Sequence, residues 1–147
     1  MQDSFGRNIN YMRISLTDRC NYACYYCKPD ISKHLCHSDI LTYEQILNIC
    51  RCAVSLGITR FKITGGEPTL APDLPSLIRS IKELGYLVKL DTNGTRPEVV
   101  KHLAESKLID KAAVDIKAGP DHYSALAGIS APAIDKVRET VDFLLHG

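Results

Sequence analysis

The stretch ITRFKITGGEP, residues 58–68, joins a short strand pattern to a pair of glycines. Residues 58–64 have the pattern of a strand. The segment before it, residues 41–57, has the pattern of a helix, with a capping box between Thr42 and Gln45 and Gly57 at its C-terminal end. The apolar positions in that segment follow helical spacing: Ile46, Ile49, Cys50, Ala53 and Val54. A helix followed by a short strand is therefore the local unit that these residues predict.

The same alternation of strands and helices continues along the chain. Residues 9–16 alternate, with Met12, Ile14 and Leu16 on one side, and residues 86–91 and 110–117 are further strand patterns. The other helices have the following apolar faces: Leu74, Leu77, Ile78 and Ile81, stopped by Gly85; Val100, Leu103 and Ala104, after Pro97 at the first helical position; and Ile134, Val137, Val141 and Leu144. This order implies right-handed crossovers and a parallel sheet. The sequence predicts an α/β fold of about four β/α units.

The length of the chain limits its domain organisation. The 147 residues are enough for one domain with a core and too few for two ordinary ones, so residues 1–147 are predicted to form a single domain. Four parallel strands leave the fourth as an edge of the sheet. We therefore expect either a chain truncated at its carboxyl end or a partner on that side.

Composition and charge narrow the class of protein. The net charge of +1 predicts neither a nucleic-acid footprint nor attraction to an anionic membrane. The first ten residues lack the apolar core of a signal peptide, and no apolar run is long enough to span a bilayer. The sequence predicts a cytoplasmic protein, with no nucleic acid and no membrane among its partners.

Unusual residues follow each of the four strand patterns. The stretch CNYACYYC (20–27) follows the first strand, TGGEP (64–68) the second, DTNG (91–94) the third, and DIK (115–117) ends the fourth. In parallel α/β folds, ligands bind beyond the carboxyl ends of the strands. The sequence therefore predicts one site that all four segments share.

Three cysteines in the first of these segments, Cys20, Cys24 and Cys27, are spaced C-x3-C-x2-C. A [4Fe–4S] cluster normally takes four thiolates. Three would leave one iron open to a ligand, just as catalytic zinc keeps an open position. A zinc site is the second hypothesis, with His34, Cys36 or His37 as the fourth ligand, and free thiols of no function are a third. Cys50 is expected to be buried in the first helix and Cys52 to lie off its buried face, and neither has an assigned role.

The cysteine spacing, Tyr26 before the last cysteine and GGEP after the next strand together resemble the radical S-adenosylmethionine (SAM) superfamily. The resemblance implies a partial (β/α) barrel and a [4Fe–4S] cluster on the three cysteines. It also implies reductive cleavage of SAM to methionine and a 5′-deoxyadenosyl radical. By the same resemblance Gly65 and Gly66 let the backbone approach SAM closely, Glu67 and Pro68 shape the turn, and Tyr26 lies near the adenine.

The segments LDTNGT and VDIK are similar to the activating enzymes of glycyl radical proteins, especially activators of anaerobic ribonucleotide reductase. This similarity implies that Lys117 faces the SAM carboxylate, a charge-assisted contact. It implies that Asp91, Asp115 and Thr92 line that region and can hold a monovalent cation, and it adds Asn93 to the SAM-binding residues. Without this similarity, residues 91–94 would be interpreted as an Asx turn, and Lys117 would be interpreted as a solvated charge at the end of a strand.

The amino-terminal third, through GGEP, resembles instead the GTP cyclase of molybdenum cofactor synthesis. That subfamily has an arginine where this chain has Ala71, and Ser-Leu-Asp where it has residues 115–117. It also has a second, carboxyl-terminal cysteine set, which these 147 residues do not contain. We therefore predict a radical SAM oxidoreductase that activates a glycyl radical enzyme and takes electrons from flavodoxin or ferredoxin. The alternatives are a radical SAM enzyme acting on a small molecule and a non-enzymatic zinc-binding fragment.

Overall fold

Four parallel strands form one sheet in a computed structural model that describes residues 2–27, 35–129 and 132–147. The strands are β1 (Tyr11–Ser15), β2 (Arg60–Thr64), β3 (Leu87–Thr92) and β4 (Lys111–Val114), in that spatial order. The helices are α1 (Tyr43–Ser55), α2 (Leu74–Glu83), α3 (Pro97–Glu105), α4 (Pro120–Ala127) and α5 (Pro132–His146). The predicted α/β class with four parallel strands is confirmed. Among the described residues, no helix combines the length and the apolar character needed to cross a membrane.

The first helix begins where its sequence signals place it. The Thr42 hydroxyl accepts a hydrogen bond from the Gln45 backbone N–H at 3.2 Å, and the Gln45 side chain accepts one from the Thr42 N–H at 2.8 Å. These two bonds satisfy N–H groups that have no partner within the helix. The predicted capping box is therefore confirmed.

One face of the sheet is buried under the helices. Ile14, Phe61, Ile63, Val88 and Leu90 alternate along their strands and form the centre of the main core. The helices contribute the following buried side chains: Ile46, Cys50 and Ala53 from α1, Leu74, Leu77, Ile78 and Ile81 from α2, and Leu103 from α3. Two positions expected on the buried face of α1 are exposed, Ile49 at 40% and Val54 at 55%. The apolar stripe of α1 is narrower than its sequence suggests because only one side of it meets the sheet and α2.

The opposite face of the sheet carries a row of basic residues. Arg13, Lys62, Lys89 and Lys111 occupy the same register position on the four successive strands. Residues paired in register point to the same side of a sheet, away from the alternating core positions. We call these four residues the cationic row.

The structure differs from the sequence predictions near the fourth strand. β4 ends at Val114, so Asp115, Ile116 and Lys117 lie in the connection after the strand rather than in it. Helix α4 was not predicted from the sequence. Its two buried side chains, Tyr123 and Ala127, are four residues apart and provide too short an apolar pattern to indicate a helix.

Candidate functional site

A cavity of about 360 Å³ lies at the carboxyl ends of the strands. Its lining includes the following predicted site residues: Cys20, Cys24, Cys27, Gly65, Gly66, Asp91, Thr92, Asn93, Asp115 and Lys117. Tyr26, Glu67 and Pro68 were also predicted for the site and are not part of this lining. Segments that follow four different strands therefore meet around one space, as the sequence predicted.

The three spaced cysteines lie in the loop after β1. Cys24 is buried, Cys20 is partly buried and Cys27 is exposed. The Cys20 sulfur accepts a hydrogen bond from the Tyr22 backbone N–H at 3.4 Å. An N–H directed at sulfur suits a thiolate, which is the form that ligates iron. Because the three thiols line one cavity and one of them is held as an acceptor, the donor set fits an iron–sulfur cluster.

A site for a single metal ion, such as zinc, needs ligands that converge on one point. Within residues 2–27, 35–129 and 132–147, no three His, Cys, Asp or Glu side chains converge enough to hold one metal ion. A four-iron cluster binds each thiolate through a different iron atom, so its sulfurs do not have to converge on one point. Of the fourth zinc ligands considered, His34 and the side chain of His37 lie outside what the structure describes, and Cys36 is exposed.

Helix α4 anchors the cysteine loop. The Ala23 N–H donates to the carbonyl of Ala127, the last residue of α4, at 3.0 Å. The Tyr22 and Tyr123 rings meet edge to face with centroids 6.4 Å apart, and their hydroxyls are 3.4 Å apart. Burial, followed by the hydrogen bond with Tyr123, raises the pKa of Tyr22 well above its ordinary value, so its hydroxyl stays protonated. The loop therefore rests on a neutral packed surface.

The glycine pair brings two segments of the chain together. The Gly66 N–H donates to the Thr17 carbonyl at 2.6 Å and the Glu67 N–H donates to the Arg19 carbonyl at 2.8 Å. Gly65 has φ +140°, and a Cβ there would lie 2.6 Å from the Thr17 carbonyl oxygen. The glycines thus make room for the loop after β1. They also line the cavity, and the predicted close approach of SAM to their backbone stays a prediction.

The Glu67 carboxylate is fully buried and joins the ends of β2 and β3. It accepts hydrogen bonds from the Thr69 N–H at 3.0 Å, the Thr69 hydroxyl at 2.6 Å, the Thr92 hydroxyl at 2.7 Å and the Asn93 N–H at 2.6 Å. Pro68 is buried at the start of the following 3-10 turn. Glu67 therefore acts by positioning the backbone that surrounds the cavity.

Three of the charged residues that line the cavity, Asp91, Asp115 and Lys117, form ion pairs. Asp91 contacts Lys62 at 2.6 Å and Lys89 at 3.1 Å. Lys117 contacts Asp115 at 3.2 Å. Burial opposes the charge of Lys117, but its hydrogen bond and Coulomb attraction to Asp115 are stronger in sum and raise its pKa. Lys117 is therefore a stable cation in the cavity wall.

Several lining residues were missed in the sequence: Arg13, Ser15, Thr17, Asp18, Tyr22 and Thr64. Arg13 and Ser15 could have been found, because the alternation of β1 places them on the side opposite the core and their strand leads directly into the cysteines. Tyr26 is 56% exposed and packs edge to face against Tyr25. Its predicted contact with adenine stays a prediction.

The sequence is similar to that of a known protein family. The sequence pattern of the radical SAM superfamily matches residues 14–145. A probable GTP 3',8-cyclase of Thermococcus kodakarensis is 34% identical over 148 residues, which covers 98% of this chain and 48% of that protein. The GTP 3',8-cyclase of Geobacter sulfurreducens is 51% identical over 96 residues, covering 63% of this chain and 29% of that protein. The chain thus spans less than half the length of these relatives.

Solved structures show the same fold. The crystal structure of Streptococcus suis SuiB bound to precursor peptide SuiA has a TM-score of 0.69 at 22% identity, over 87% of this chain and 29% of that one. A structure of TYW1 with a lysine-pyruvate adduct bound has a TM-score of 0.65 at 19% identity, over 92% of this chain and 52% of that one. The chain belongs to the radical SAM superfamily, as its sequence predicted. Membership implies a [4Fe–4S] cluster and SAM as cofactors.

Proposed function

We propose that this chain is the core of a radical SAM enzyme that acts on an anionic small molecule, with GTP as the first substrate to test. The observation that carries the proposal is the cationic row beside the cysteine cavity. Glycyl radical activation, our first expectation, has less support, because the relatives quoted above are named GTP 3',8-cyclases.

The cysteines and the cavity wall have separate tasks in this proposal. Cys20, Cys24 and Cys27 hold the cluster, which when bound supplies the electron that splits SAM into methionine and a hydrogen-abstracting 5′-deoxyadenosyl radical. Lys117 offers its ammonium to the SAM carboxylate, and the polar groups of Thr92 and Asn93 border the same space. Flavodoxin or ferredoxin is the proposed electron donor.

The cationic row has four positive charges, and the one carboxylate paired with it balances only part of them. Like charges opposite each other on neighbouring strands repel. Asp91 is a counter-charge for Lys62 and Lys89. Arg13 and Lys111 form no ion pair with any residue of the ranges that the structure describes. A polyphosphate has the charge that this row lacks, and Arg and Lys are the side chains that bind phosphate oxygens.

The row also extends to the cavity in which we propose that the cluster and SAM bind. Arg13 lines the cysteine cavity. Lys62, Lys89 and Lys111 line a second cavity, of about 550 Å³, on the strand face. An anion held along this face would place its other end toward the cysteines, which is the arrangement that radical transfer needs.

Two differences from the GTP cyclase pattern bear on the proposal. Ala71 packs against the main core and has no charge to offer a nucleotide. Asp115 and Lys117 form an ion pair in place of Ser-Leu-Asp. The missing second cysteine set carries no weight, because the chain covers only part of its relatives. Both differences make substrate specificity the point to test.

The test is an anaerobic assay of the reconstituted chain with dithionite and SAM. We expect 5′-deoxyadenosine to form, and to form faster when GTP is present. If GTP did not change the rate of 5′-deoxyadenosine formation and a glycyl radical enzyme increased it, the activator hypothesis would be favoured. If the anaerobically prepared chain contained zinc in place of iron, both the small-molecule hypothesis and the activator hypothesis would be wrong.

The Arg13→Gln substitution tests the cationic row. It removes one charge without breaking an ion pair among the described residues, so the fold should be retained. A hydrogen bond to a charged group contributes about 1.5–3 kcal/mol, and GTP should therefore bind about tenfold more weakly or worse. Equilibrium dialysis with GTP measures this. Arg51→Gln, on the exposed side of α1, is the matched control, and equal affinities for the two variants would refute the role of the row.

A further inference from the structure

We propose that Asn93 sets the reduction potential of the cluster by donating a hydrogen bond to the Cys20 thiolate. This inference rests on the cluster assignment within the proposed function and is independent of the substrate. The Asn93 Nδ2 lies 3.9 Å from the Cys20 sulfur, within the range of an N–H to sulfur contact. The Tyr22 N–H is a second donor to the same sulfur, at 3.4 Å.

The orientation of the Asn93 amide is fixed by its neighbours. The Thr95 backbone N–H is 3.0 Å from Asn93 Oδ1, and a backbone N–H can only donate. The atom that faces Thr95 must therefore be the oxygen, which also accepts from the Thr95 hydroxyl at 2.7 Å. The amide nitrogen is left to face Cys20 and the Asn21 oxygen, the latter at 2.8 Å. A donor, not an acceptor, is thus directed at the sulfur.

Asn93 is also held rigidly. Its side chain is buried, and its backbone N–H donates to the buried Glu67 carboxylate at 2.6 Å. Asn21 closes a ring of bonds by donating to the Thr95 hydroxyl at 2.8 Å. A polar network whose members are all satisfied keeps one geometry. The donor therefore keeps its position when the charge on the sulfur changes.

The effect on the cluster follows from electrostatics. One-electron reduction from the 2+ to the 1+ state adds a negative charge, part of which the thiolate sulfurs share. A donor directed at such a sulfur stabilises the reduced state more than the oxidised state, and hydrogen bonds to sulfur are among the factors that set cluster potentials. Removing the Asn93 donor should make the cluster harder to reduce.

The experiment is a potentiometric titration of the reconstituted cluster, followed by electron paramagnetic resonance without SAM or GTP. Asn93→Leu removes the donor without adding charge, and we expect a lower midpoint potential than in the parent. Asn93→Asp keeps an oxygen that accepts hydrogen bonds from Thr95, so the loop should keep its conformation. It replaces the donor with a negative charge, so it should lower the midpoint potential further. Asn21→Ala removes one part of the network while the Thr95 N–H and hydroxyl still orient the Asn93 amide, so it should leave the potential near that of the parent.

Several results would overturn the inference. The inference would fail if the Asn93→Leu variant had the same midpoint potential as the parent. It would also fail if Asn21→Ala shifted the midpoint potential as much as Asn93→Leu does. Loss of the cluster in both Asn93 variants, with retention in Asn21→Ala, would assign Asn93 a structural role instead. A parent chain that binds no four-iron cluster would overturn the cluster assignment as well, and iron and sulfide analysis identifies that case before any titration.

Discussion

Cys24→Ala is expected to abolish both the four-iron cluster and SAM cleavage. Cys24 is buried beside α4, with its sulfur 4.0 Å from the Ala127 carbonyl oxygen. Two remaining cysteines provide half of the usual four ligands. Iron and sulfide analysis after anaerobic reconstitution, together with 5′-deoxyadenosine after addition of dithionite and SAM, measures the effect.

Two control variants replace cysteines outside the C-x3-C-x2-C set. Cys52→Ala changes an exposed thiol on α1 and should leave iron content and product formation at the parent level. Cys36→Ala should do the same, because Cys36 is exposed and does not line the cavity. If Cys36→Ala instead removed the metal, Cys36 would be a fourth ligand and the site would be closed, as the zinc hypothesis requires. Full activity in Cys24→Ala would contradict the cluster assignment.

The sheet and the meeting of four segments at one edge could be predicted from the sequence. Alternation in strands and the 3.6-residue repeat of helices are local signals, and the fold class follows from their order. Once the strands are parallel, their carboxyl ends share an edge, which brings Cys20, Gly65, Asp91 and Asp115 into one region without any information on contacts.

The supports of the site could not be predicted in the same way. Glu67 and Asn93 are joined by a hydrogen bond between residues 26 positions apart, and no periodic pattern encodes such a bond. Helix α4 buries only Tyr123 and Ala127, and its contact with the cysteine loop spans more than 100 residues, from Tyr22 to Tyr123. The cationic row needs the register of all four strands, which is known only once they are paired.

Gly66→Ala is expected to destabilise the whole chain. An alanine Cβ at this position would overlap the carbonyl oxygen of Arg19 and lie 2.8 Å from that of Asp18. Both atoms belong to the backbone, so relief requires the loop after β1 to move. That movement breaks the bonds from the Gly66 and Glu67 N–H groups to Thr17 and Arg19.

The size of the effect follows from these losses. Overpacking against rigid backbone costs about 1–3 kcal/mol, and each lost hydrogen bond adds about 1 kcal/mol. A loss of about 3 kcal/mol or more in the free energy of unfolding is therefore expected, against a typical total of about 5–15 kcal/mol. Urea denaturation followed by circular dichroism measures it, without any cofactor.

Gly119→Ala is the matched control. Gly119 precedes α4 with φ −65°, and a Cβ there would meet no atom within 4 Å. Its substitution should change the free energy of unfolding by less than about 1 kcal/mol. Equal stabilities for the two variants would mean that the loop after β1 yields easily. The cysteines would then depend for their placement on α4 and the Asn93 network rather than on the glycine pair.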